Sequence, residues 1–279
     1  MAPSTLHKPF TAPKIALVLS SGGIKGIAHI GVLEVLDQAG IVPDVIVGCS
    51  AGAIVGALYA AKKDITHTKK VILNIAPYSR SYRFFGLPSL YKGVVKGEGY
   101  FSMEKMSNYL TETLQVATFA ELKIPLAVVA TNINKASLTT FSSGPLVSAV
   151  CASAAIPGIF QPVHIQDQYY VDGYVISPLP VHIATKLGAK LIIAVSVIEP
   201  IKDADISQIS SVLFRSFKIA NRHRIQNAIK QADFLIDAEI KDTGYLFTSH
   251  KGVIKLYEAG RKAAEKMLKQ IKARVEALE

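Results

Sequence analysis

The segment Gly48-Cys49-Ser50-Ala51-Gly52 constrains this chain more than any other. It joins an apolar run, Val45-Ile46-Val47, to an alanine-rich stretch, Ala51 to Ala61, that carries Ile54, Val55 and Leu58. A buried strand must turn sharply into a helix on a G-x-S-x-G pattern, which is the geometry of a nucleophile elbow. The flanking glycines let the chain bend without a Cβ clash. The turn puts Ser50 at a helix N-terminus, where unpaired N–H groups and the helix dipole favour negative charge. A serine so placed is a candidate for acyl transfer. Cys49 is a less suitable nucleophile, because the elbow exposes the central residue of the motif.

A second glycine cluster lies upstream. Lys14-Ile15-Ala16-Leu17-Val18-Leu19 reads as a strand, followed by Ser20-Ser21-Gly22-Gly23-Ile24-Lys25-Gly26 and a helix with Ile27, Ile30, Leu33, Val35 and Leu36 largely on one face. Strand, glycine turn and helix make an anion site from backbone N–H groups. One reading is a phosphate loop for a nucleotide; the other is an oxyanion hole. The nucleotide reading lacks G-x-x-x-x-G-K-[ST], misses the first glycine of the dinucleotide fingerprint, and has Asp44 before a strand instead of at its end. With an elbow on the next strand, the oxyanion reading is the better one. A third piece is Tyr170-Val171-Asp172-Gly173-Tyr174, where an apolar strand ends in an aspartate. Alone, Asp-Gly is a turn former.

Together these three pieces resemble the patatin-like phospholipase family, in its compact bacterial form. The resemblance runs from about Lys14 to Ala238. It takes in Ala152 to Phe160, similar to the family's small-residue helix and turn, and Ala232 to Ile236, similar to its last strand. It implies an α/β fold, a mostly parallel central sheet with helices on both faces in an αβα sandwich. It also implies a Ser50–Asp172 dyad without histidine, and an oxyanion hole at Gly22, Gly23 and Ile24. Two departures stand out: Ser21 replaces the first glycine of the family's triplet, and Tyr174 stands where Gly or Ala is common.

The chemistry has its own requirements. A serine hydroxyl needs a base. A carboxylate with a pKa near 4 is a poor one, so Asp172 has to be desolvated or otherwise tuned. Each oxyanion donor is worth about 3–4 kcal/mol. Lys25 is read as steering an anionic head group or supporting its loop, against a solvated lysine. Chain order also allows a Ser-Asp-His triad with His182, His223 or His250. However, Ser50 follows only two strands, and these histidines fall in helical or basic segments. His29 is expected to pack within the first helix. No pair of His or acidic residues has a metal-ligand spacing, so neither metal nor cofactor is expected.

The 279 residues, half of them hydrophobic, fit one α/β domain over 14–240, with a flexible lead-in at 1–13 and a C-terminal helical extension at 241–279 packing on it. The expected order is strand 14–19, helix 26–39, strand 45–47, helices 51–62 and 65–75, helix 102–115, strands 125–131 and 138–142, helix 146–155, strands 163–165 and 168–171, helix 180–187, strand 191–197, one long helix 207–230, strand 233–237 and a helix from about 250. No apolar run reaches the roughly 20 residues of a membrane span. The two cysteines, Cys49 and Cys151, lie in apolar segments and suit a reducing, cytoplasmic setting. The net charge of +10 calls for a polyanionic partner. No nucleic-acid module is recognisable, which favours an anionic membrane surface, peripherally bound. Between Pro77 and Met103 seven aromatics, Phe84 and Phe85 among them, interleave with Arg80, Arg83, Lys92 and Lys96, which reads as a lid or docking loop against an ordered loop packed on the core. Phe214 to Lys230 is basic without an acidic residue, either a second membrane-facing surface or a solvated face. Tyr257 to Leu278 reads as a solvated helix or a subunit contact. The substrate expected is an acyl lipid. The alternatives are an esterase or acyltransferase on soluble acyl compounds, or a non-catalytic lipid-binding protein.

Overall fold

The computed structural model describes residues 12–78, 102–198, 209–240 and 248–278. The 1–11 part of the lead-in and the aromatic-basic loop, with Arg80, Arg83, Phe84, Phe85 and Lys92, lie outside the described residues.

The apolar runs pair into one eight-stranded sheet. Its strands are β1 (Ile15–Leu19), β2 (Val45–Cys49), β3 (Leu126–Asn132), β4 (Ser137–Phe141), β5 (Val163–Ile165), β6 (Gln168–Asp172), β7 (Leu191–Ser196) and β8 (Phe234–Asp237). The order is β5-β6-β3-β2-β1-β7-β8, with β4 also paired to β3. Strands β3, β2, β1, β7 and β8 run parallel; β4, β5 and β6 join as antiparallel neighbours. All residues of β1, β2, β3 and β7 are buried, as unbroken apolar runs demand of a sheet covered on both faces.

Side chains alternate across each strand, so each contributes to two cores. Leu17, Leu19, Ile46, Val128, Ile193 and Val195 enter the larger one. It is covered by α1 (Ile27–Gln38), α2 (Ala51–Lys62), α3 (Ile65–Tyr78), α4 (Glu104–Leu114), α5 (Leu146–Ala154) and α9 (His250–Glu276). Ala16, Val18, Val47, Val129 and Ala194 enter the second, beneath α6 (Val181–Lys186) and α8 (Arg222–Gln231). Helix α7 (Ile209–Ala220) precedes α8.

One expectation is corrected. The long helix over 207–230 is two helices that meet at Asn221, a wholly buried residue whose Nδ2 donates to the carbonyls of Tyr174 and Val175 as well as to Phe217. An asparagine that serves backbone carbonyls outside its own helix interrupts that helix. The C-terminal helix packs along the rest of the chain. Val253, Leu256, Tyr257, Gly260, Ala263, Ala264 and Ile271 are buried, and α9 lies along α1. A Cβ at Gly260 would come within 1.9 Å of the Ala28 carbonyl oxygen, and one at Gly31 within 2.2 Å of that of Tyr257, so the two backbones touch. Beside this crossing Glu34 of α1 accepts from Tyr257, Lys69 and Arg261, which ties α1, α3 and α9 together.

Candidate active site

Strand β3 works as a ruler for the site. Cys49 lies opposite Val129 and Asp172 lies opposite the next residue, Ala130. Strand β4 occupies the other edge over Val128–Asn132, so β2 and β6 follow one another along a single edge of β3. Residues 122 apart in sequence are thus brought to one point. The Ser50 hydroxyl donates to Asp172 Oδ2 at 2.6 Å.

The elbow has the strain its pattern implies. Ser50 sits at φ 53°, ψ −118°, between the end of β2 and the first turn of α2. Gly52 is required by contact: a Cβ there would lie 2.3 Å from the Leu19 carbonyl oxygen. Gly173 is required likewise, with a Cβ position 2.5 Å from the Val129 oxygen. The backbone around both side chains is fixed by buried groups. The Ser50 N–H donates to Ser153 Oγ at 2.8 Å, and that hydroxyl donates to the Val129 carbonyl at 2.7 Å. The Asp172 N–H donates to the Ala155 carbonyl, and the Asp172 carbonyl accepts from Thr131 Oγ1 at 3.0 Å. Because Ser153 takes the Ser50 N–H, an oxyanion here has to be met by other donors.

Asp172 is 2% exposed. Burial pushes its carboxyl up to about 7, against hydrogen bonds from Ser50, the Tyr174 N–H and the Cys49 thiol that favour the charged form. The desolvation that a carboxylate base requires is present. Cys49 is also fully buried, and burial together with the adjacent Asp172 holds its thiol well above the usual range, which disfavours a thiolate nucleophile.

Ser50 and Asp172 open onto a cleft lined by Ser21, Gly22, Gly23, Ile156, Pro157, Tyr174, Val175 and Phe217. The cavity itself is narrow, about 30 Å³. The glycine loop therefore does meet the elbow. Its backbone is tightly fitted, since a Cβ at Gly22 would fall 2.3 Å from Val197 Cγ2. Ile24 does not line the cleft and packs partly buried against the larger core. Lys25 is 1% exposed, so it is not a solvated lysine. The two departures from the family pattern both face the cleft: Ser21, whose buried hydroxyl has no hydrogen-bond partner among the described residues, and Tyr174, whose ring meets Phe217 edge-on at 6.4 Å.

Of the histidines, His29 is buried with Nε2 2.8 Å from the Ser20 carbonyl, and burial lowers it to about 4. His223 and His250 are exposed, and His182 is half-buried on α6. The side-chain hydrogen bonds of Asp172 come from Ser50, Cys49 and Tyr174, none from an imidazole. Among the described residues no group of three or more His, Cys, Asp or Glu side chains is placed to hold a metal. Sequence reasoning missed Ser153, Asn221 and Phe217. Ser153 carried a signal, as a single hydroxyl in an Ala-rich helix; Asn221 carried another, as a poor helix former in mid-pattern.

The sequence profile for "Patatin-like phospholipase" matches residues 17–185. The chain belongs to the patatin-like phospholipase family. An uncharacterised NTE family protein of Mycobacterium tuberculosis is 32% identical over 196 residues, 70% of this chain and 52% of that protein. The human patatin-like phospholipase domain-containing protein 6 is 31% identical over 70% of this chain but only 14% of its own length. Lysophospholipase NTE1 of Coccidioides immitis is 30% identical over 69% of this chain and 12% of its own length. The chain thus spans about half of the mycobacterial relative and a small part of the others. Among solved structures, VipD of Legionella pneumophila superposes with a TM-score of 0.54 at 16% identity, over 93% of this chain and 67% of VipD. Human GIVD cytosolic phospholipase A2, in complex with a fluorophosphonate inhibitor, does so at 0.51 and 11%, over 96% and 59%. Both share the patatin-like fold of a mostly parallel sheet between helices.

Proposed function

We propose that this patatin-like chain hydrolyses carboxyl esters of acyl lipids, with Ser50 as nucleophile and Asp172 as its base. The observation that carries the reading is the 2.6 Å hydrogen bond from Ser50 to a buried carboxylate, in a cleft that Gly22 and Gly23 also line. Ser50 Oγ attacks the ester carbonyl carbon while its proton passes to Asp172 Oδ2. Backbone N–H groups of Gly22 and Gly23 receive the oxyanion, with the positive end of α2 beneath Ser50. Collapse returns the proton to the departing alcohol and leaves an acyl group on Ser50. Water then attacks that ester, giving its proton to Asp172, and the fatty acid leaves as Ser50 recovers its proton. The lipid class is supported by family membership and by the fungal relative's name, a lysophospholipase. The net charge of +10 supports an anionic lipid surface as the place of work.

The test is labelling by a fluorophosphonate probe of the native chain, Ser50→Ala and Asp172→Asn, beside fatty-acid release from mixed phospholipid vesicles. Ser50-dependent labelling with release of fatty acid is expected. Labelling without lipid turnover would move the assignment to soluble esters or acyl transfer. No labelling of folded protein would leave a lipid-binding protein on this fold. Replacing His182, His223 and His250 singly is expected to leave hydrolysis within about threefold, and a loss of about 10²-fold or more at one of them would restore a triad.

A further inference from the structure

Helix α7 has two unlike faces. One carries Leu213 and Phe217, spaced i and i+4. Phe217 lines the cleft against Tyr174, and Leu213 Cδ2 lies 3.2 Å from where a Cβ on Gly158 would sit, next to the cleft residue Pro157. The other face presents Val212 and Ile219, spaced i and i+7, at 47% and 55% exposure. They are two of only five large hydrophobic residues so exposed among the described residues. Arg215 and Ser216 lie between them on the same stripe.

The charge along this stretch of sequence is one-sided. Residues 206–232 contain Arg215, Lys218, Arg222, Arg224 and Lys230 and no Asp or Glu, so this tenth of the chain contributes half of the net charge. Lys218 is buried, but Arg222, Arg224 and Lys230 of α8 are exposed. Exposed aliphatic side chains with basic residues around them complement an anionic lipid surface: the chains enter the acyl boundary while the cations meet head-group phosphates. A protein groove would leave the surrounding cations unmatched, and a second copy of this chain would set like charge against like.

We propose that the consecutive helices α7 and α8 form the surface by which this protein docks on an anionic lipid layer, with Val212 and Ile219 inserted and Arg222 and Lys230 on the head groups. The inference rests on the hydrolase reading for its purpose, since α7, whose Phe217 lines the Ser50 cleft, would then lie on the layer that holds the substrate. Docking would also reach the site mechanically. Asn221, at the junction of the two helices, donates to the carbonyls of Tyr174 and Val175, which follow Asp172 in the chain and line the cleft.

The experiment is sedimentation of the full chain with phosphatidylcholine vesicles, with and without about 30% phosphatidylglycerol. It uses the native protein, Ser50→Ala, the pair Val212→Asp with Ile219→Asp, and the pair Arg222→Glu with Lys230→Glu. Each basic residue near an anionic leaflet is worth about fivefold in affinity, so the charge-reversed pair is expected to lose about thirtyfold or more on phosphatidylglycerol vesicles. The aspartate pair is expected to lose at least about tenfold on the same vesicles. Ser50→Ala should bind like the native chain. Hydrolysis of a short soluble ester by both surface pairs should stay within about twofold, because none of the four residues touches the cleft. Native binding by either pair, no binding of the native chain, or self-association that the aspartate pair abolishes would overturn the proposal. Failure of the hydrolase reading is seen separately: a native chain that docks through α7–α8 but cleaves no ester leaves the docking surface standing and removes the reaction.

Discussion

At the scale of single residues, Asp172 decides the pH dependence. As the proposed base it must be ionised, and burial pushes its carboxyl up to about 7. The rate of ester hydrolysis is therefore expected to rise with pH through about 7 and to level off above it, with no second limb from a histidine. A pH–rate profile on a soluble ester checks this; a midpoint near 4 would mean that the carboxylate is solvated in the working enzyme. Ser153 offers a second test, because its hydroxyl links the Ser50 N–H to the Val129 carbonyl. Ser153→Ala leaves both groups unpaired in a buried place, which costs about 1–3 kcal/mol. It is expected to lower thermal stability by several degrees and turnover by more than binding, read from kcat and KM on the same ester. Ser153→Thr, which retains a hydroxyl, should recover most of the turnover.

At the scale of elements, most of the chain was legible in sequence, because periodicity reports what is buried on each element. The run 191–197 reads as a covered strand and the structure has one at Leu191–Ser196, and Ala51–Lys62 matched its helix to the residue. The Ser50 and Asp172 motifs stood out, but their meeting did not, since it depends on β2 and β6 sharing one edge of β3. No local pattern encodes such a register. The break at Asn221 was hidden for a related reason: its partners, Tyr174 and Val175, lie 47 and 46 residues away. The point at which α9 crosses α1 was obscured because the closest approaches are at Gly31 and Gly260, and glycine carries no hydrophobic signal. That crossing yields a prediction of its own. Gly260→Val puts atoms where the Ala28 carbonyl stands, and overpacking costs about 1–3 kcal/mol or more. The expected result in calorimetry is a fall in Tm of about 5 °C, with activity per folded molecule unchanged because α9 contributes nothing to the cleft.

At the scale of the whole molecule, two carboxyls give the stability opposite dependences on pH. The Asp172 carboxyl is raised by burial to about 7, whereas the unfolded chain titrates near 4. Folding thus favours its protonated form, and the stability it contributes is full below about pH 4 and is lost as pH rises to about 7. Glu34 runs the other way. Burial opposes its charge, but hydrogen bonds from Tyr257 and Lys69, with the charges of Lys69 and Arg261, hold it below its ordinary range. Its contribution is present above about pH 4.5 and is lost on acidification through the lowered value. Thermal unfolding of the native chain, Asp172→Asn and Glu34→Gln between about pH 3 and pH 8 separates the two. The Tm of Asp172→Asn relative to the native chain should climb between about pH 4 and 7 and then hold level; the deficit of Glu34→Gln should be largest near neutrality and shrink in acid. A flat difference for Asp172→Asn would mean that its carboxyl titrates alike in both states. A sloping one would identify the desolvation that weakens this fold at neutral pH with the desolvation that makes Asp172 basic enough to take a proton from Ser50.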